Sequence, residues 1–81
     1  MRERSALSVA FGQVVRELRE EAELSQERLG FLAKLSRVYV GEIERGEKTP
    51  TLDAIASLAT ALGKPVSELL ASAERRSNRS V

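Results

Sequence analysis

Residues 25–46 read SQERLGFLAKLSRVYVGEIERG, two short helical patterns joined by a turn. Ser25 and Ser36 each stand where a helix begins. A serine hydroxyl there accepts from a first-turn N–H that has no partner inside the helix. After Ser25 come Leu29, Leu32 and Ala33 as the apolar positions of one helix. After Ser36, Val40 and Ile43 recur at i, i+3, the spacing of a buried stripe, and Gly46 marks the stop. Gly41 interrupts this second pattern. A glycine inside a helix costs roughly 1 kcal/mol against alanine, so the missing side chain asks for a use.

The same periodicity extends outward on both sides. Upstream, Phe11, Val14, Val15, Leu18 and Ala22 form one apolar face, which predicts a helix from about Ser8 to Ala22. Downstream, Thr51 caps a helix with the stripe Leu52, Ile55, Ala56, Leu58, Ala59 and Leu62, closed by Gly63. Pro65 suits the first turn of a fifth helix carrying Val66, Leu69 and Leu70. No segment alternates as a strand does. Short links between amphipathic helices predict a compact all-α bundle of five helices.

Composition narrows the chemistry. The chain has 81 residues, expected to form one domain with no room for a separate catalytic one. It contains no cysteine and no histidine. That removes disulfides, thiol nucleophiles and most zinc sites, and a reducing, cytoplasmic setting is expected. No Gly-rich phosphate loop or serine nucleophile motif is present, so neither an enzyme nor a cofactor is expected. Basic residues at the start precede a short apolar run that Gln13 interrupts, which argues against a signal peptide. The net charge of +1 does not by itself point to nucleic acid.

The third helix gives the sharper signal. At 100° per residue, Tyr39, Val40 and Ile43 group on one side, and Arg37, Val38, Gly41, Glu42 and Arg45 on the other. Two arginines, an acid, a valine and a glycine make a strange solvated face. They make a sensible face for base edges. Arginine forks onto guanine, a carboxylate accepts from cytosine, and an apolar side chain touches the thymine methyl. Gly41, on this projection, is expected either to let the helix backbone approach DNA closely or to leave room for the neighbouring side chains to reach bases.

Residues 24–63, LSQERLGFLAKLSRVYVGEIERGEKTPTLDAIASLATALG, resemble the Cro/repressor-type helix-turn-helix family, also called XRE. The marks are Leu24-Ser25-Gln26-Glu27, Leu29-Gly30, Leu35-Ser36-Arg37, Tyr39-Val40, Ile43-Glu44-Arg45-Gly46, Thr49-Pro50-Thr51-Leu52 and Ala61-Leu62-Gly63. With the flanking helices the likeness covers about residues 8–72. The resemblance implies a five-helix domain of the lambda-repressor type whose third helix lies in the major groove of double-stranded DNA. It implies base-reading positions at Arg37, Val38 and Glu42, and phosphate contacts at Gln26, Tyr39 and Arg45. It further implies an internal ion pair between Arg19 and Glu44. The chain departs from the family pattern at Lys34 and Glu23, where glycine is usual. Lys34 must therefore turn left-handed at some cost. Phe31 and Leu32 stand at positions that are usually polar.

The expected organisation is an N-terminal arm over 1–7, a DNA-binding domain over 8–72 and a polar, disordered tail over 73–81. Arg2 and Arg4 of this flexible arm are candidates for the minor groove, but a frayed terminus is the expected reading. The expected function is a sequence-specific transcriptional regulator that binds an inverted-repeat operator as a homodimer. Minimal members of the family include controllers of restriction–modification systems and phage-type repressors. A dimer seam is expected on the fifth helix, at Val66, Leu69 and Leu70. The alternative is a protein-interaction module, such as an antitoxin that binds a toxin partner, with Phe31 and Leu32 as its exposed surface.

Overall fold

The computed structural model describes residues 5–78. Five helices follow in order: α1 Ala6–Glu21, α2 Gln26–Ala33, α3 Arg37–Glu44, α4 Leu52–Leu62 and α5 Val66–Asn78. There is no strand among the described residues. Four helices open on a hydroxyl cap. Ser5, Ser25, Ser36 and Thr51 accept from the N–H groups of Ser8, Arg28, Tyr39 and Ala54. Each bond satisfies a donor that helix geometry leaves open.

The ends are set by left-handed residues. Lys34 adopts φ +60° and lets Leu35 donate back to the Gly30 carbonyl at 2.8 Å. Glu23 does the same at φ +60°, with Leu24 donating to the Arg19 carbonyl. Both are non-glycine residues in a conformation that costs an L residue roughly 1–2 kcal/mol. The turn that joins α2 to α3 is thus closed by hydrogen bonds rather than by an easy backbone.

α1 packs along α5 and against α3, while α2 lies on α3 and α4. Leu29, Ile43, Leu58, Leu69, Val15 and Val40 are fully buried and draw every helix into one aliphatic core. Gly12 lets α1 come close to α3. A Cβ there would run into the backbone carbonyls of Ile43 and Glu44.

Several sequence-based expectations change. Leu52 is 80% exposed, because it is the first residue of α4 and precedes the turn that faces inward. Ala22 and Ala56 are also exposed, and Ala22 sits beyond the last turn of α1 as its C-cap. Helix α1 starts at Ala6, so residues 6 and 7 belong to it rather than to an arm. Arg2 and Arg4 lie outside the described residues. At the other end, helix continues from 73 to Asn78, where a disordered tail was expected. Ala73 is fully buried, and Arg76 donates to both carboxylate oxygens of Glu17 at 2.7 and 2.8 Å. These contacts anchor a segment whose polar letters alone suggest fraying.

Candidate nucleic-acid interface

The amino end of α2 lies beside the last turn of α3, and one buried carboxylate holds them together. Glu44 sits at the end of α3 with its side chain 3% exposed. Arg19 of α1 donates from Nε to Glu44 Oε2 at 2.7 Å and from Nη2 to Oε1 at 3.1 Å. Its Nη1 donates to the Leu24 carbonyl at 2.8 Å, just before α2. Gln26, the first residue of α2, donates from Nε2 to Glu44 Oε1 at 3.0 Å. Three helices thus meet on one acid. The Glu44 hydrogen bond raises the Arg19 pKa, against the opposing effect of burial. The pair expected between Arg19 and Glu44 is therefore present, and no buried side-chain polar atom among the described residues lacks a partner.

From that anchor α3 presents its other side to solvent. Arg37 is exposed at the first helical position, and Val38 is 58% exposed beside it. Glu42 is half-buried one turn further on. Arg45, just past the helix, is exposed and donates to both oxygens of Glu47 at 2.9 and 3.2 Å. The hydrogen bond to that carboxylate raises the Arg45 pKa. Tyr39 is half-buried against the core, which leaves only part of its side chain available to a phosphate.

Gly41 is not where the helical projection puts it. It is buried, covered by the side chains of Gln26 and Arg45. A projection about one helix axis cannot see side chains that cross over from α2 and from the following loop. Contrary to expectation, Gly41 does not expose the α3 backbone for a direct approach to DNA and has no open face from which to read a base.

Leu69 also changes role. It is fully buried within the single chain and has no surface to give a second copy. Of the expected seam, Val66 is 36% exposed and Leu70 is half-buried. Leu70 lines a small apolar cleft of about 90 Å³ with Leu7, Phe11, Pro50 and Ile55.

Three partnerships were not foreseen. Glu44 serves Gln26 as well as Arg19, Glu47 holds Arg45, and the Arg28 guanidinium lies 5.1 Å from the centre of the Phe31 ring. The last gives Phe31, 70% exposed, a contact within its own helix. The last two join residues close in sequence, whereas Gln26 and Glu44 lie 18 positions apart on different helices and carry no local signal. Among the described residues no group of His, Cys, Asp or Glu is arranged to hold a metal, and no helix is long and apolar enough to cross a membrane.

Residues 15–69 match the helix-turn-helix family. The chain is 40% identical over 65 residues to the control protein C.BamHI of Bacillus amyloliquefaciens, covering 79% of this chain and 80% of that one. It is 39% identical over 59 residues to the immunity repressor protein of Bacillus phage phi105, covering 73% of this chain and 41% of that protein. Among solved structures, the restriction-modification controller protein C.AhdI from Aeromonas hydrophila superposes with a TM-score of 0.78. It is 51% identical, over 80% of this chain and 98% of that one.

Proposed function

Since the chain belongs to the helix-turn-helix family of DNA-binding transcriptional regulators, we propose that it acts as a homodimer on an inverted-repeat operator, as the controller of a restriction–modification system. The observation that carries the DNA-reading part is the outward face of α3. Arg37, Val38 and Glu42 stand on a helix whose opposite side is fixed to α1 and α2 through Glu44. Rigid support behind a mixed polar and apolar face is what base discrimination needs, because a loose side chain forfeits the geometry that tells one base pair from another.

Arg37 is the main base-reading residue, with Val38 beside it for a thymine methyl. Glu42 selects by repulsion. A carboxylate near phosphates is unfavourable except where a donor such as cytosine N4 meets it. Gln26 and Arg45 take phosphates, and Tyr39 assists from the edge of the core. The first-turn N–H groups of α2 add to this, since a helix N-terminus favours an anion. The protein works in the cytoplasm, where its operator lies.

The dimer follows from the small number of base pairs one helix can read. Two half-sites about one helical turn apart, roughly 34 Å, provide enough. Val66 and Leu70 form the seam, with Leu69 excluded. The controller assignment is supported by the likeness to two controllers, over 79% and 80% of this chain. Phe31 and Leu32, the latter 43% exposed, meet the condition set for a protein-interaction module. The antitoxin version of that alternative gains no support from relatives named as control proteins and repressors. Selection of binding sites from random DNA tests the proposal. The expected product is a palindromic consensus with two half-sites, and recovery of unrelated sequences at low affinity would refute it.

A further inference from the structure

Gly41 differs from the other interior glycines in what surrounds it. A Cβ on Gly12 or Gly30 would strike backbone, with Leu35 O only 2.6 Å away in the second case. Those two allow chain segments to pack closely. A Cβ on Gly41 would meet only side-chain ends: Arg45 Nη1 at 3.0 Å, Gln26 Oε1 at 3.5 Å and Arg45 Cζ at 3.7 Å. The two residues that lie over it are the two given to phosphate in the reading above.

We propose that Gly41 is a positioning residue, whose missing side chain forms the shelf on which the Gln26 amide and the Arg45 guanidinium rest side by side. The proposal rests on the reading of Gln26 as a phosphate contact. Each group is held from its far side as well. Glu44 Oε1 takes one N–H of Gln26, and Glu47 takes Nε and Nη2 of Arg45. Glu44 is itself fixed by Arg19. The second N–H of the Gln26 amide is thereby given one direction rather than many. A donor ordered in advance loses less rotamer freedom when it binds, which strengthens the complex without a new contact.

Size decides what position 41 tolerates. Alanine needs a shift of a few tenths of an ångström from the flexible end of Arg45 and none from Gln26. Leucine fills the shelf and pushes the amide away from Glu44. The order of DNA affinity is therefore glycine close to alanine, with leucine well below both.

The test uses the full chain, fluorescence-anisotropy titration of random-sequence duplex DNA, and NMR of the Gln26 side-chain amide without DNA. Gly41→Ala is expected to keep the amide resonance and to bind within twofold of the parent. Gly41→Leu is expected to move that resonance toward its unfolded position and to weaken binding about tenfold. With Gln26→Ala already present, the same leucine should cost threefold or less. If circular dichroism shows the leucine variant unfolded, Gly41→Met, flexible and unbranched, replaces it under the same criteria. An unmoved Gln26 resonance overturns the proposal. So does an equal tenfold loss with and without Gln26, which means that the new side chain acts through Arg45 alone or obstructs DNA directly, and not by releasing the Gln26 amide. If Gln26→Ala alone binds like the parent, the phosphate reading fails and takes the proposal with it, and the resonance shift shows separately whether the shelf exists.

Discussion

Arg19 and Glu44, twenty-five positions apart, form a two-pronged ion pair at 2.7 and 3.1 Å that ties the first helix to the end of the third. The side chains are 12% and 3% exposed. Removal of one partner leaves the other charge buried and unpaired, a change that typically costs about 3–5 kcal/mol. Arg19→Ala is therefore expected to lower the urea midpoint sharply and to leave little folded protein, given the thin margin of so small a domain. The joint replacement Arg19→Met with Glu44→Leu should recover much of the stability while DNA binding stays impaired, because Gln26 loses its acceptor. Urea titrations of the two variants check this, and an Arg19→Ala midpoint equal to the parent's would contradict it.

Lys34 carries a left-handed conformation without a glycine's freedom. Lys34→Gly should stabilise the chain by about 1 kcal/mol, since the strain of the L side chain disappears. Only the turn before α3 changes, so DNA affinity should stay within a factor of two. Thermal unfolding decides the matter; a lower melting temperature would mean that the lysine makes up for its strain elsewhere.

The Arg76 guanidinium, through its hydrogen bonds and then its charge, lowers the Glu17 pKa below the ordinary value of 4.5. The folded-state value thus lies under the unfolded one. The contribution is complete above about 4.5 and is lost as pH falls through the depressed folded value. The raised pKa of Arg76 affects stability only in strong alkali. Glu17 is half-exposed, which keeps the effect small through solvent screening. Melting curves between neutral and acid pH should show a shallower acid-side loss in Glu17→Gln than in the parent. Parallel loss in both would show that the pair contributes nothing to folding.

Much of the architecture was legible because its signals are local. Ser25, Ser36 and Thr51 cap the helices that follow them, and a cap involves residues three apart. Periodicity placed Val15, Leu29, Val40, Ile43 and Leu58 in the core. It misplaced Leu52 and Ala22 because a stripe extended to a helix end does not say where burial stops. The site was legible in part. Arg37, Val38 and Arg45 are exposed on α3 and at its end, as the projection has them. The cover over Gly41 comes from another helix and a loop, so no single-helix pattern reveals it. Leu69 looked like a seam residue for a related reason: a stripe records apolarity, not which partner covers it.

The fifth helix separates core from seam in one comparison. Leu69→Asp puts a carboxylate into a fully buried position and should unfold the chain. Val66→Asp and Leu70→Asp act nearer the surface. Each should yield a folded monomer by sedimentation equilibrium and circular dichroism, with operator affinity reduced. A dimer that survives both substitutions would move the seam off α5.

Arg37 offers the most direct test of base reading by α3. The parent, Arg37→Ala and Glu42→Ala are titrated against the selected operator, its single-base variants and random DNA, at two salt concentrations. Arg37→Ala should cost about 1–3 kcal/mol on the operator and erase the preference at one base pair. Glu42→Ala should bind random DNA more tightly and accept a wider set of sites. Binding of all three should weaken steeply with salt as phosphate contacts release counterions. If Arg37→Ala instead loses affinity evenly on every sequence, Arg37 is a backbone contact and α3 does not read the operator through it.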